Sequence, residues 1–357
     1  MIVAKPNLPE FTSAPAGSWS DFLVSLGATP TIDSPHNLPD FGPQSEASSG
    51  FLCALGHLGV IEANGDDAAG FLHNQLTNDV LGLDLSHATL AGYCSPKGRL
   101  LATCLVWRSG TSIFLALPRE LLPSILKRLQ MFVLRSKVKL QDASEQCVML
   151  GAASVNFDAT PSVWGCVTDD NGTLIRVPDA GKLQRLLWIG TPDTAKQQWL
   201  AWSSQLPTTS SSSWRWSEII AGLPQVVEAT REQFVPQMIN FELVGGVNFK
   251  KGCYPGQEVV ARSQYLGKTK RRTLLAFIND PAASAASAAS AGMEVFSSAD
   301  PSQPCGMVVN AESGPDGRMA CLVELKMEAL AASVHLSSIN GSALEFGELP
   351  YALNAET

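Results

Sequence analysis

The sequence lacks long apolar runs, and its cysteines form no short paired motif. No stretch approaches the ~20 uninterrupted apolar residues that a membrane-spanning helix needs, so we expect no membrane span. The first residues, MIVAKPNLPEFTSAPAGSW, contain no basic region followed by an apolar run, as a secretory signal would. The eight cysteines include no CxxC pair, which excludes a zinc ribbon and a typical iron–sulfur motif. They are also scattered along the chain, unlike the dense cysteines of a disulfide framework. These absences indicate the cell interior, and we expect a cytoplasmic location.

Several common catalytic signatures are also missing. The five histidines form no HxxxH or other close pair, so we predict no metal site. The chain has no GxSxG, no P-loop and no GxGxxG that enters a helix, so the usual hydrolase, nucleotide-hydrolysing and dinucleotide-binding signatures are excluded. The formal net charge of −8 argues against binding nucleic acid over the whole surface, and it leaves room for a local basic patch.

The length and the order of patterned segments predict more than one structural unit. A chain of 357 residues is long for one hydrophobic core, and two or three domains are expected. Residues 58–140 read as strand, helix, strands, helix and strand, with turns at Ser95–Gly98 and Ser109–Gly110, which is typical of an α+β unit. Residues 146–205 show a similar order of strands followed by a helix, which predicts a second α+β unit. Short strands after residue 271 predict a small β-barrel or sandwich, interrupted by an Ala/Ser-rich insert.

Cations concentrate in one segment of this acidic chain. Between residues 250 and 272, seven cationic side chains stand against one acid, Glu258. Such a cluster attracts anions locally even when the whole molecule is negative. A charge run alone is more often a solvated loop and strand edge, and both interpretations stay open. The cations are Lys250, Lys251, Arg262, Lys268, Lys270, Arg271 and Arg272.

The same segment holds a cysteine in a tight turn, within the sequence KKGCYPGQE. Cys253 lies between Gly252 and Gly256, with Pro255 inside the turn, so this backbone can approach a ligand closely. An ordinary free thiol is only ~3% ionised at pH 7, and the thiolate is the reactive form. The segment therefore predicts either a reactive thiol or an ordinary cysteine inside a turn.

Side chains near Cys253 in the sequence fit the reactive alternative. Lys251 and Arg262 favour a thiolate if they lie nearby. Gln257 and Glu258 add a hydrogen-bonding amide and a carboxylate.

A pair of tryptophans gives a second signal. Trp214 and Trp216 flank Arg215 just before the helical pattern of SEIIAGLP. A tryptophan at the mouth of a site stacks on a flat heterocycle for ~1–3 kcal/mol. Two tryptophans that enter a helix also serve as core anchors, and the composition alone favours this second interpretation.

At residues 221–272 the sequence resembles the bacterial YgfZ family. The stretch AGLPQVVEATREQFVPQMINFELVGGVNFKKGCYPGQEVVARSQYLGKTKRR contains the family pattern K-G-C-Y-x-G-Q-E followed by A-R. A weaker resemblance continues through FLHNQLTNDV and YCSPKGRLLATC and covers roughly residues 50–350. The residues that match the pattern are Lys251, Gly252, Cys253, Tyr254, Gly256, Gln257, Glu258, Ala261 and Arg262.

This resemblance implies an α+β fold similar to the glycine cleavage T-protein, with three domains in a ring around a central opening and a C-terminal β-barrel. We expect a monomer by default. The predicted parts are an N-terminal extension, 1–50; a discontinuous folate-binding-like domain, 51–140 plus 214–266; a second α+β domain, 141–213; and the barrel, 267–357, with its Ala/Ser-rich insert at 281–292.

The resemblance further implies that tetrahydrofolate or a derivative binds in the central cavity, with Trp214 and Leu58 on its wall. It implies an accessory protein that supports iron–sulfur cluster enzymes, including those that thiolate tRNA, with folate and iron–sulfur proteins as partners and an indirect relation to tRNA. Cys253 is then the reactive or cluster-contacting group, supported by the other motif residues, and we expect its thiol to open onto the same cavity.

Two departures from the T-protein keep other functions open. The turn that matches SPKGRLLATC is followed by a catalytic aspartate in the T-protein, whereas Ala102 and Thr103 stand here. A general base is therefore missing, which argues against aminomethyl transfer to folate. A family tryptophan that faces folate aligns near Leu58. The alternatives are a folate-dependent one-carbon or aminomethyl transferase and a direct tRNA-binding module that uses the cations of residues 250–272.

Overall fold

The computed structural model describes residues 17–30, 38–43, 49–158, 160–265, 270–279 and 288–353. Lys268, most of the predicted Ala/Ser-rich insert and most of the first 50 residues lie outside these ranges.

The described residues form helices and strands in mixed order. The helices are α1 (Trp19–Ser25), α2 (Ala68–His73), α3 (Leu122–Gln130), α4 (Pro192–Ser203), α5 (Ser211–Ile220) and α6 (Gln257–Tyr265), with 3-10 turns at Glu228–Thr230, Pro236–Ile239 and Met327–Ala331. The strands are β1 (Thr29–Pro30), β2 (Pro39–Asp40), β3 (Gly50–Ala54), β4 (Leu58–Asn64), β5 (Ala88–Cys94), β6 (Leu100–Ser109), β7 (Ser112–Pro118), β8 (Lys139–Asp142), β9 (Val148–Ser154), β10 (Cys166–Thr168), β11 (Thr173–Ala180), β12 (Leu183–Gly190), β13 (Arg271–Ile278), β14 (Glu294–Ser297), β15 (Gly306–Ser313), β16 (Met319–Lys326), β17 (Val334–Leu336) and β18 (Glu345–Phe346).

The first sheet is antiparallel, with strands in the order β5-β6-β7-β4-β8, and α2 and α3 pack against it. Helix α3 buries Leu122, Ile125 and Leu129, whose spacing places them on one helical face. Both predicted turns are confirmed. Gly98 closes the β5–β6 turn with a φ of 71°, and Gly110 closes the β6–β7 turn with a φ of 57°.

The second sheet has the order β10-β11-β12-β9-β3. Helix α4 packs on it and begins at Pro192. Thr191 is its N-cap, and the Thr191 Oγ1 accepts a hydrogen bond from the backbone N of Thr194. Strand β3 pairs with β9, with Gly50 opposite Ser154. The chain therefore contributes an edge strand to the second sheet before it builds the first.

The third sheet is a curled half-barrel with the order β17-β14-β15-β16-β13-β18. Helix α5 packs on β15 and β16. Buried polar contacts join β13 to the segment before the cysteine motif. Arg272 pairs with Glu242 and donates to the carbonyl of Gln237, and the Asn240 side chain donates to the carbonyl of Thr273. One apolar core runs continuously from the first sheet into this third sheet.

Within the described ranges, no helix is long and apolar enough to cross a membrane. In the same ranges, no group of three or more His, Cys, Asp or Glu side chains is arranged to hold a metal ion.

Candidate functional site

A pocket lies between the first and second sheets, beside α5. Its mostly apolar walls come from β4, β5, β6 and β7 of the first sheet, from β11 and β12 of the second, and from α5. Its space, including the part open to solvent, is about 620 Å³. The structure brings together Leu58 and Trp214, the two residues predicted to face a pterin, because both line this pocket.

Trp214 is both a core residue and a pocket wall. It is only 2% exposed. Gly151 of β9 packs against its ring so closely that a Cβ at that position would come 2.4 Å from Cε3, and the Arg185 guanidinium lies over the ring at 4.9 Å from the centroid. The core interpretation of this tryptophan therefore holds, since the protein itself supplies much of the ring's stacking contact, and the same residue also lines the pocket.

The charged part of the pocket consists of two residues that the sequence analysis missed. Arg185 lies on β12 and is fully buried. Its Nε donates to the Pro178 carbonyl at 2.8 Å, and its Nη1 donates to Ser217 Oγ at 3.0 Å. Its Nη2 is buried without a hydrogen-bond partner among the described residues. Glu218 Oε1 accepts a hydrogen bond from Trp214 Nε1 at 3.1 Å. The four-residue spacing of Trp214 and Glu218 on one helix face was the available signal.

Burial shifts the pKa of both Glu218 and Arg185. Desolvation raises the pKa of Glu218, against the opposing effects of Arg185 and of the Trp214 hydrogen bond. Desolvation also lowers the pKa of Arg185 to about 10, so the guanidinium stays protonated at neutral pH. The pocket therefore offers an apolar slot with one acid and one unpaired guanidinium NH2 group.

Cys253 lies elsewhere. It is exposed, and it is not among the residues that line the pocket, so the expectation that its thiol opens onto that cavity is not met. We call residues 250–256 the thiol loop. This loop packs against the end of α2 and against the β5–β6 turn instead.

Lys251 fastens the thiol loop to α2. Its Nζ donates to the carbonyl oxygens of His73 and of Leu76, the latter at 2.9 Å, and lies 4.9 Å from the centroid of the Tyr254 ring. A cation at the C-terminal end of a helix meets carbonyls that lack partners within the helix. Burial lowers the pKa of Lys251 to about 8, opposed by the negative charge of Asp79 and by Cys253. Lys251 is therefore a structural clamp as well as a neighbour of the thiol.

Two glycines allow the thiol loop to approach the β5–β6 turn. Gly256 has a φ of 79°, and a Cβ there would lie 2.5 Å from the Ser95 carbonyl oxygen and 2.6 Å from the Gly98 Cα. A Cβ at Gly98 would in turn meet Val259 at 2.8 Å. Close backbone approach thus requires glycine at both positions.

The remaining motif residues have distinct positions. Gln257 begins α6, and its side chain donates to the Gly252 carbonyl at 3.4 Å. Tyr254 is buried, whereas Glu258 and Arg262 are exposed on α6. Their contribution to thiol chemistry stays a prediction.

Much of the basic segment is already paired within the protein. Arg271 pairs with the buried Glu324, Arg272 with Glu242, and Lys251 with the carbonyls of His73 and Leu76. In the described part of the segment this leaves Lys250, Arg262 and Lys270 exposed. The alternative of direct RNA binding through these cations is weakened accordingly.

No model of a known protein family matches the chain. Among solved structures, the glycine cleavage system aminomethyltransferase T from Bartonella henselae superposes with a TM-score of 0.72 at 13% identity, over 93% of this chain and 96% of that one. The fold is thus that of the glycine cleavage T-protein, as predicted.

Curated relatives then identify the family. The tRNA-modifying protein YgfZ of Colwellia psychrerythraea is 31% identical over 248 residues, which is 68% of this chain and 75% of the relative. The YgfZ protein of Klebsiella pneumoniae is 28% identical over 324 residues, covering 88% and 98%. The chain belongs to the YgfZ family, which confirms the resemblance seen in its sequence.

The close approach at Gly256 yields a test of the thiol loop. We predict that Gly256→Ala lowers the free energy of unfolding by about 3 kcal/mol, because a left-handed residue costs about 1–2 kcal/mol and the new methyl group also overlaps backbone atoms. Gly245→Ala is the matched control, since Gly245 has a φ of 82° but nothing within 4 Å of a Cβ. Urea denaturation measures both. Equal losses for the two variants would contradict the packing argument.

Proposed function

We propose that this chain is a folate-binding accessory protein that supports tRNA modification and the iron–sulfur enzymes involved in it. Its relatives bear the name of tRNA-modifying proteins, and its fold is that of an aminomethyltransferase. The observation that carries the folate proposal is the pocket beside α5, because it joins Leu58 and Trp214 with a half-buried acid and a buried guanidinium.

The chemistry of this pocket suits a reduced pterin. A pterin is a flat ring system that presents an amino group, a ring N–H and a carbonyl oxygen along one edge. A carboxylate such as that of Glu218 accepts from N–H groups, and the unpaired Nη2 of Arg185 donates to a carbonyl. Because both groups are desolvated, pairing them with a ligand is favourable and leaving them unpaired is costly. The apolar walls then take up the faces of the ring.

Calorimetry with a series of reduced folates tests the pocket. We predict that the wild type binds at least one of them and that Glu218→Gln weakens this binding about 10- to 100-fold, since a hydrogen bond to a charged group contributes about 1.5–3 kcal/mol.

Glu312→Gln is the matched control for calorimetry. Glu312 pairs with Arg215 of α5 at 2.6 Å and does not line the pocket, so its loss should leave the affinity unchanged. Failure of the folded wild type to bind any reduced folate would overturn the assignment of the pocket.

For Cys253 we propose a role in the support of client enzymes, separate from the pocket. Its exposure makes it the thiol most accessible to a partner, while burial raises the pKa of Cys94, Cys104 and Cys321 to about 12. The tight fastening of the thiol loop by Lys251 and Gly256 holds this one thiol at a fixed place on the surface.

We predict that Cys253→Ser leaves the free energy of unfolding within about 0.5 kcal/mol of wild type, as for other exposed substitutions, and removes support of tRNA thiolation in cells. Thiolated nucleosides from a strain that carries only the variant are measured by mass spectrometry. Cys147→Ala, which removes a half-buried thiol, should retain them. Full complementation by Cys253→Ser would take the thiol out of the mechanism.

A second candidate function is favoured by one observation. The sequence places no carboxylate at Ala102 or Thr103, and Thr103 Oγ1 is engaged as an acceptor for the Val226 N–H at 3.0 Å. Glu218 nevertheless brings a carboxyl into the same pocket from α5. A folate-dependent transferase would have its acid at this position.

An assay for methylene-tetrahydrofolate separates the two candidates. Under the accessory function we expect no formation above background from tetrahydrofolate and an aminomethylated donor, because Ala102 and Thr103 supply no general base at the position where the T-protein has its aspartate. Product that forms with the wild type and is lost in Glu218→Gln would favour the transferase instead.

A further inference from the structure

A histidine–aspartate pair lies beneath the thiol loop. His73, the last residue of α2, has its Nδ1 3.0 Å from Asp79 Oδ1. The His73 side chain is 11% exposed and that of Asp79 is 39% exposed. Asp79 is fixed in turn by the backbone N–H of Gly82, which donates to Oδ1 at 3.0 Å. That bond, together with His73, holds the pKa of Asp79 below its ordinary value, so this carboxyl is ionised at neutral pH.

The other ring nitrogen of His73 faces the thiol loop. A Cβ built on Gly252 would lie 3.5 Å from His73 Nε2, so Nε2 is directed at the residue that precedes Cys253. A proton on Nδ1, facing the carboxylate, leaves Nε2 as an acceptor. Nε2 has no partner among the hydrogen bonds of the described residues. Nδ1 also lacks an aligned hydrogen bond there, although it lies 3.0 Å from Asp79 Oδ1.

The other charged groups around His73 are compatible with this role. Lys251 Nζ donates to the His73 carbonyl and is coupled electrostatically to both Asp79 and Cys253. Tyr254 lies under Lys251. The thiol loop thus gathers a thiol, an imidazole, a carboxylate and an ammonium group at the C-terminal end of α2.

We propose that His73, oriented by Asp79, accepts the proton of the Cys253 thiol. The Sγ–H bond breaks, an Nε2–H bond forms, and the resulting imidazolium is stabilised by the Asp79 carboxylate while the thiolate lies near the Lys251 ammonium. The proposal rests on the role assigned to Cys253 above, and it adds a residue outside the cysteine motif to that site. The substrate class follows from the chemistry, since an exposed thiolate takes electrophilic or thiophilic groups of a partner.

The chain provides a matched control for His73. His87 also pairs through Nδ1 with an aspartate, Asp84, at 3.0 Å. It precedes β5, whereas the thiol loop contacts the turn that follows the other end of β5, roughly 20 Å away along seven residues. His87→Gln therefore removes an exposed histidine–aspartate pair far from the thiol.

The test is the pH profile of alkylation of Cys253 by iodoacetamide, followed by mass spectrometry of the peptide that contains it. At pH 7 we expect His73→Gln to react about tenfold more slowly than the wild type. This factor is at or below the smallest rate enhancement that a positioned general base usually contributes. Asp79→Asn should slow it in the same direction and less, and His87→Gln should match the wild type. Above pH 9 solvent removes the proton, so the His73→Gln and wild-type rates should converge.

Coinciding profiles for the wild type and His73→Gln over the whole range would overturn the proposal. A constant ratio at every pH would also overturn it, because that result indicates a displaced loop rather than a lost proton acceptor. Asp79→Asn keeps the test decisive if His73→Gln fails to fold. The outcome is independent of cellular complementation by Cys253→Ser, so failure of this inference and failure of the proposed function are distinguishable.

Discussion

The pocket depends on one guanidinium buried between β12 and α5. Taking a charge out of water costs several kcal/mol unless hydrogen bonds and nearby dipoles offset the loss. Arg185 obtains that compensation from the Pro178 carbonyl, from Ser217 Oγ and from the ring of Trp214. Since Ser217 and Trp214 belong to α5, the same contacts that make the charge tolerable fix α5 against the second sheet. The position of Glu218 follows, and with it the polar part of the pocket.

Two chemically different sites result, joined by one strand. β6 begins beside the turn on which Gly256 packs and passes the pocket at Thr103 and Leu105. Five to seven residues of extended chain place the thiol loop roughly 15–20 Å from the pocket. A ligand buried in the pocket is thus not in contact with the thiol. The accessory role proposed above is consistent with this separation, because a surface thiol serves a partner while the pocket holds a small molecule.

Local sequence patterns predicted the α+β fold and both glycine turns, and the resemblance to the YgfZ family implied the common location of Leu58 and Trp214. They did not predict Arg185 or Glu218, because a charged residue within an apolar strand or helix acquires its partner only through tertiary packing. The basic segment shows the same limit. Its density of cations suggested an anion-binding surface, yet Arg271 and Arg272 are neutralised by Glu324 and Glu242 from distant parts of the chain. His73 was set aside because it has no close histidine neighbour in the sequence, whereas its partners are Asp79 and the thiol loop.

The pairing of β3 with β9 has a consequence for synthesis on the ribosome. β3 leaves the exit tunnel early, but its partner strand begins at Val148, about 95 residues later. At 5–20 residues per second, β3 spends roughly 5–20 s with an unsatisfied hydrogen-bonding edge and the apolar side chains of Phe51 and Leu52 exposed. The first sheet, whose strands are all encoded within residues 58–142, can assemble during that interval. The nascent chain thus passes through a state in which one completed sheet carries a loose apolar strand at its N-terminal side, which is the form that a holding chaperone recognises.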